Sequence, residues 1–138
     1  MLVTTEWMSH EPRIVYQKYG DTYNFPIFRK ALLEMRRHLW QTDEPVYVII
    51  DYTSVEKVRP FSMMRGGVMI ENARPTNAIL GVAVARKEDA MYHYSALWLK
   101  VGRAIGSKAA RDFHLVTSVD EALQIISHHN THDDDTSE

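Results

Sequence analysis

The chain has 138 residues, 45% of them hydrophobic and 25% charged, which is enough for one globular domain with its own core. The absence of cysteine excludes disulfides, thiolate metal ligands and thiol nucleophiles, and it agrees with a reducing, cytoplasmic location. The formal net charge is −2; removing the four acidic charges of the C-terminal segment leaves residues 1–130 at +2, so nucleic-acid binding is not favoured.

The N-terminal segment has neither a basic region nor a long apolar run, so we expect no secretory signal. No stretch approaches the roughly 18 apolar residues of a membrane span. Residues 1–12 leave two alternatives open, irregular chain or a short edge strand. From Arg13 to Tyr19 apolar and polar side chains alternate, and Gly20-Asp21 follows, which predicts a β-strand that ends in a turn.

The segment NFPIFRKALLEMRRHLWQ predicts an amphipathic helix that Asn24 caps, with Pro26 in the first turn. Its apolar stripe is spaced by four, three and four residues: Phe28, Leu32, Met35 and Leu39. Basic residues lie largely off this stripe and are interpreted as a solvated face, with an acidic partner or RNA as the alternative: Arg29, Lys30, Arg36 and Arg37.

Two apolar runs follow, VYVIID, which ends in Asp51, and AILGVAVA, and they predict strands that are covered on both faces. A helix is expected between them, from Pro60 to about Asn72.

A longer helix is predicted from Lys87 to Ile105, with one apolar face made of Met91, Tyr94, Trp98, Val101 and Ile105. Gly106 is placed to end this helix as a left-handed cap. Residues 113–116 predict the last strand, and Ser118 with Glu121 matches the capping box of a closing helix.

Strand and helix thus alternate four times, which predicts an α/β fold with a mostly parallel sheet of four to five strands covered by helices. We expect residues 1–129 to form this single domain. Residues 130–138, which include THDDDTSE, predict a disordered acidic tail.

Asp51 ends the first apolar strand, at the sheet edge where α/β proteins bind ligands. A phosphate-accepting aspartate would need further acids on neighbouring strand ends to hold Mg²⁺. The preceding strand offers only Asp21, and the third ends at Ala85-Arg86-Lys87 without an acid. We therefore interpret Asp51 as the acceptor of an Asx-turn, bonded to N–H groups of the loop that follows it.

No motif in the sequence predicts catalysis. The segment VGRAIGSK has the wrong spacing for a phosphate-binding loop, and no G-x-S-x-G motif is present. His128, His129 and His132 are interpreted as a frayed helix end and not as a metal site. We expect no enzymatic activity, no metal and no cofactor.

The segment VYVIIDYTSVEKVRPFSMM resembles the core of STAS-type domains, the anti-sigma-factor antagonist family, in which an apolar strand ends in Asp before a polar loop and a helix. FHLVTSVDEAL is similar to the closing strand and capped helix of that family. FPIFRKALLEMRRHL is similar to the broader STAS-like group that includes SEC14-type lipid binders. The resemblance spans roughly Arg13 to His129 and implies a STAS-like fold.

The chain departs from this family at the phosphorylation loop. Phosphorylatable members carry Asp-Ser-Ser-Gly-Leu, and the corresponding residues here are Arg59, Pro60, Phe61, Ser62 and Met63. Pro60 takes the position of the modified hydroxyl and cannot be phosphorylated.

The expected function is a non-enzymatic regulatory domain that docks a protein partner through the loop Tyr52–Pro60 and the helix start Phe61–Arg65. The candidate contact residues are Asp51, Tyr52, Thr53, Ser54, Arg59, Phe61, Ser62 and Arg65. We also expect homodimerisation. The alternative is a small-molecule or lipid binder, with or without enzymatic activity, whose pocket lies at the strand ends near Asp51.

Overall fold

The computed structural model describes residues 2–62, 65–66, 69–70 and 77–136, with side chains described up to residue 131. At its centre is a five-stranded sheet in the order β1-β2-β4-β6-β7, formed by Val3–His10, Arg13–Tyr19, Val46–Asp51, Ala78–Val84 and Phe113–Val116. β1 and β2 are antiparallel, and the other three neighbouring pairs are parallel. Two short strands, β3 (Thr22–Tyr23) and β5 (Lys57–Val58), pair with each other outside this sheet.

The α/β class is confirmed, and three of the four strand pairs are parallel, but β1 pairs antiparallel with β2 and makes the sheet mixed. Of the two alternatives for the N-terminal segment, the edge strand is present, because Val3–His10 form β1. Only Glu11 and Pro12 separate β1 from β2, and so short a connection can join only antiparallel strands.

The helices lie on both faces of the sheet. They are α1 (Phe25–Leu39), α2 (Ala90–Ala104), α3 (Lys108–Arg111) and α4 (Val119–Thr136). On one face, called here the α1/α2 face, Val15, Val48 and Ala83 contribute to clusters with α1 and α2 residues. On the opposite α4 face, Ile14, Ile49 and Val82 form a cluster with Ala122 and Ile126.

Helix α1 begins as predicted. The Asn24 side chain accepts a hydrogen bond of 3.0 Å from the Ile27 N–H. The buried Gln17 side chain ties β2 to this helix, because its Nε2 donates to the carbonyl of Ala31 at 2.8 Å. The basic side chains Arg29 and Arg37 are exposed.

The buried face of helix α2 agrees with the predicted one at its start and differs from it near its end. Tyr94 and Trp98 are half-buried and face the core. Met91 is buried, but the other buried positions are Ser95, Leu99 and Gly102. Val101 and Ile105 are exposed, by 36% and 76%. The reason is Gly102: a Cβ there would lie 2.6 Å from the Ala110 Cβ, so the helix turns its glycine toward α3.

The predicted cap of α2 is present. Gly106 has φ +78°, and its N–H donates to the Arg103 carbonyl at 3.2 Å. The Ser107 N–H donates to the Gly102 carbonyl at 2.8 Å, which completes a Schellman motif.

The capping box of α4 is half formed. The Ser118 hydroxyl accepts from the Glu121 N–H at 3.2 Å, but the Glu121 carboxylate accepts from the hydroxyls of Thr117 and Ser118 instead of a backbone N–H. The helix continues to Thr136, so residues 130–136 are helical where the sequence predicts a disordered tail.

His129 does not belong to a frayed end, since its Nδ1 lies 3.0 Å from the Tyr47 hydroxyl.

The predicted helix Pro60–Asn72 is described only in part, and Met63 lies outside the described residues. Residues 65–66 and 69–70 are helical. Pro60, Phe61 and Ser62 are not helical. The Ser62 hydroxyl accepts from the Arg65 N–H at 3.4 Å and the Ser62 carbonyl accepts from the Gly66 N–H at 3.0 Å, as an N-cap residue does.

Candidate functional site

Asp51 lies at the carboxyl end of β4 and is 3% exposed. One of its carboxylate oxygens accepts from the Thr53 N–H at 2.8 Å and from the Thr53 hydroxyl at 2.6 Å, which is the predicted Asx-turn. The other oxygen accepts a short hydrogen bond from the Tyr16 hydroxyl. Both oxygens are therefore engaged within the fold. Among the described residues, no group of three or more His, Asp or Glu side chains is placed to hold a metal.

The sequence-predicted contact residues do not form one common surface. Asp51 follows Ile49 by two positions and so belongs to the α4 face, whereas Tyr52 and Phe61 pack into the core of the α1/α2 face. Thr53 is half-buried. The exposed members of the set are Ser54, Arg59, Ser62 and Arg65.

Phe61 does not serve as an exposed anchor. Its ring centroid lies 4.9 Å from that of Phe28 and 5.7 Å from that of Tyr23. Its carbonyl accepts a hydrogen bond of 3.1 Å from the Tyr94 hydroxyl. The Arg65 guanidinium lies 3.7 Å from the centre of the Phe25 ring, so this cation is also held against the fold.

Four tyrosines meet on the α1/α2 face, and we call them the tyrosine cluster: Tyr19, Tyr23, Tyr52 and Tyr94. Tyr19 ends β2, and Tyr52 directly follows β4, so the carboxyl edge of the sheet brings them together. Ring centroids are 4.9 Å apart for Tyr19 and Tyr52, 5.6 Å for Tyr23 and Tyr52, and 5.8 Å for Tyr23 and Tyr94. A hydrogen bond of 2.8 Å from the Tyr52 N–H to the Val84 carbonyl fixes the backbone here.

A cavity of about 140 Å³ extends from the tyrosine cluster between the sheet and helices α1 and α2. The floor is formed by strand residues such as Val48, Ile50, Leu80, Gly81 and Ala83. The walls are formed by Phe28, Leu32, Met35 and Leu39 of α1 and by Met91, Ser95, Trp98 and Leu99 of α2. This lining is mostly apolar, which is typical of sites for small molecules.

Gly81 is in close contact with the Phe113 ring at the floor of the cavity. A Cβ at this position would lie 2.4 Å from Cε2 of Phe113, so no larger residue fits without movement of that ring. Phe113 also lines the cavity, beside its register partner Gly81.

Three buried hydroxyls line the tyrosine end of the cavity. Tyr19, Tyr23 and Tyr52 are each more than nine-tenths buried, and none of their hydroxyls makes a hydrogen bond to a residue that the structure describes. Burial raises the pKa of all three phenols, and neighbouring tyrosines add to the rise. They are therefore neutral hydrogen-bond donors at physiological pH.

The charged groups of the lining lie at the opposite end. Arg36 is in the last turn of α1, where its guanidinium stacks 4.2 Å above the Trp40 ring. Asp112 directly precedes β7 and pairs with Arg111 at 3.3 Å. Both lie near the amino edge of the parallel strands, whereas the tyrosine cluster lies at the carboxyl edge.

Sequence reasoning did not include Tyr19 and Tyr23 among the site residues. It expected a pocket at the strand ends near Asp51; the cavity reaches that edge at Tyr52, while Asp51 itself belongs to the α4 face. A signal was available, because tyrosines at or just after the ends of the first two predicted strands must meet at one sheet edge. The side of the sheet on which they meet depends on register, which the sequence alone leaves open.

Comparison of the chain with protein-family models, curated proteins and solved structures finds no match. No described helix combines the length and apolar character needed to cross a bilayer.

Proposed function

We propose that this protein is a non-enzymatic binding module that holds one small, largely apolar molecule in the cavity between α1, α2 and the sheet. The observation that carries the proposal is the cavity itself. Protein interiors are packed as densely as organic crystals, and voids larger than a water molecule are few. A volume of about 140 Å³ with an aromatic and aliphatic lining is therefore a feature that needs an explanation.

The size of the cavity indicates the size of its ligand. An engineered apolar cavity of roughly 150 Å³ in another protein stays dry and binds benzene. The present cavity, at about 140 Å³, suits a molecule built around a single ring. A long-chain lipid would need a larger volume. Of the two ligand classes that the sequence left open, a small molecule or a lipid, we therefore propose a small molecule.

The proposal of binding without turnover is supported by Asp51. Both of its carboxylate oxygens accept hydrogen bonds from Tyr16 or Thr53, and it lies on the face of the sheet opposite to the cavity. It is therefore not placed to act on a molecule in the cavity.

Calorimetric titration with toluene tests this function. We expect toluene to bind the wild-type protein at one site per chain and to raise its midpoint of thermal unfolding, because a ligand that binds only the folded state stabilises it. Ser95→Leu places a larger side chain in the cavity and should abolish binding. Ala96→Leu makes a similar change at the next position, which does not line the cavity, and should bind like wild type. Absence of binding to the wild-type protein, or equal loss in both variants, would refute the proposal.

A second candidate is the regulatory docking domain that the STAS-type resemblance implies. One observation favours it: Ser54, Arg59, Ser62 and Arg65 are all exposed along the loop and helix start. Such a polar surface without the Phe61 anchor would bind weakly. The cytoplasmic location and the homodimer belong to this proposal. Arg59→Glu with Ser62→Glu should weaken capture of a native partner while folding is intact, and unchanged capture would count against docking.

A further inference from the structure

Three tyrosine hydroxyls that bond to no described residue stand at one end of a mostly apolar cavity. They are the hydroxyls of Tyr19, Tyr23 and Tyr52, which are 2%, 4% and 8% exposed. No described side-chain nitrogen or oxygen is both sealed from solvent-sized space and unpaired, so these hydroxyls border open volume. All three residues line the cavity, so it provides open volume beside them.

Buried hydroxyls of this kind need acceptors. Leaving a buried donor unpaired costs about 1–3 kcal/mol, and nearly all buried polar groups in proteins are therefore hydrogen-bonded. Tyr94 illustrates the rule within the same cluster, since its hydroxyl donates to the Phe61 carbonyl at 3.1 Å. The other three hydroxyls are left to bond to whatever occupies the cavity.

The electrostatic surroundings favour an uncharged occupant. The charged lining residues, Arg36 and Asp112, lie at the far end of the cavity, away from the cluster. A carboxylate among the tyrosines would therefore be buried without a neighbouring cation from the described lining, which is costly. A carbonyl oxygen accepts the same hydrogen bonds without that cost.

We infer that the cavity selects an uncharged, ring-sized molecule that carries a hydrogen-bond acceptor of the carbonyl type, which the hydroxyls of Tyr19, Tyr23 and Tyr52 bind while the apolar lining holds the ring. This inference rests on the proposed function and adds the chemical class of the ligand to it. It also gives the three tyrosines a role as specificity-determining residues.

Three probes of nearly equal shape test the inference by calorimetric titration at pH 7. Acetophenone carries the carbonyl, α-methylstyrene replaces its oxygen with a CH₂ group, and benzoate replaces the ketone with an anion. We expect acetophenone to bind about 3- to 10-fold more tightly than α-methylstyrene, the difference that one net hydrogen bond makes. Benzoate should bind more weakly than both.

The variant Tyr19→Phe/Tyr23→Phe/Tyr52→Phe keeps the rings and removes the donors. It should bind α-methylstyrene like wild type and lose the preference for acetophenone. Tyr92→Phe, which alters a half-buried tyrosine outside the cavity, should retain that preference. Circular dichroism checks that both variants fold.

The outcomes separate this inference from the proposed function. If α-methylstyrene binds wild type as tightly as acetophenone does, the cavity binds apolar molecules but the assigned ligand class is wrong. Tighter binding of benzoate would also overturn the class. Failure of all three probes to bind would overturn the inference together with the proposed function. Since these comparisons need only the wild-type protein, they stand even if the triple variant does not fold.

Discussion

The hydroxyl of Tyr16 on β2 donates a short hydrogen bond to the carboxylate of Asp51 at the end of the neighbouring strand β4. Tyr16 is the register partner of Ile49, so its side chain reaches diagonally along the sheet to the residue two positions further on. The bond joins two parallel strands through side chains at the point where their backbone ladder ends. Burial and the adjacent carboxylate both raise the pKa of Tyr16.

Tyr16→Phe should destabilise the protein by about 1–3 kcal/mol, because Asp51 is buried and loses the partner of one carboxylate oxygen. Urea unfolding at pH 7 measures the change. The matched control is Tyr92→Phe, whose hydroxyl bonds to no described residue, and it should change stability by less than about 0.5 kcal/mol. Equal effects of the two variants would show that the Tyr16–Asp51 bond contributes nothing measurable.

The buried tyrosines predict a loss of stability at alkaline pH. Above about pH 10 the phenols of the unfolded chain ionise, whereas the raised pKa of Tyr52 keeps it neutral in the folded protein. The unfolded state then binds fewer protons, so stability falls as pH rises toward the folded pKa. Tyr52→Phe should recover up to about 1.4 kcal/mol per pH unit above pH 10, relative to wild type. Between pH 7 and 9 the difference between the two proteins should stay constant; a difference that is also constant above pH 10 would contradict the prediction.

Gly81→Ala should destabilise the protein by about 1–3 kcal/mol, because its Cβ would overlap the Phe113 ring. A double-mutant cycle with Phe113→Leu tests this cause. If the Phe113 ring is the obstacle, Gly81→Ala should lower the free energy of unfolding by much less in the Phe113→Leu background than in the wild-type background. Strictly additive effects would mean that Gly81 is required for another reason.

The exposed apolar residues at the C-terminal end of α2, Val101 and Ile105, should tolerate substitution by a charged residue. Ile105→Lys alters a side chain that is 76% exposed, and we expect a change in stability within about 0.5 kcal/mol. Leu99→Ala, on the buried face of the same helix, should cost about 2–5 kcal/mol. Sedimentation of the Ile105→Lys variant also tests the expected homodimer, because a shift toward monomer would show that Ile105 lies in the interface. A large loss of stability would instead show that Ile105 is part of the core, as the sequence predicted.

Local sequence signals predicted much of the fold and little of the site. Asn24 and Gly106 could be assigned as caps because their effects are confined to one helix turn. The outward side of α2 could not be predicted, because Val101 and Ile105 are as apolar as core residues, whereas Gly102 is the residue that packs closely on Ala110. That contact joins two helices, and no period within one helix reveals it.

The Asp51 turn was predictable for the same local reason, since its acceptor and the Thr53 donors are two residues apart. The cavity was not, because it depends on how far apart α1 and α2 lie across the sheet. Tyr19 and Tyr52 are 33 positions apart in the chain, and only the pairing of β2 with β4 brings their rings to 4.9 Å.

The cavity beneath α1 and α2 also bears on how the protein responds to hydrostatic pressure. Unfolding abolishes internal voids, so the unfolded chain occupies less volume with its surrounding water than the native molecule does. Compression should therefore unfold this domain more readily than a fully packed one of the same length. A ligand bound in the cavity should shift pressure-induced unfolding to higher pressures.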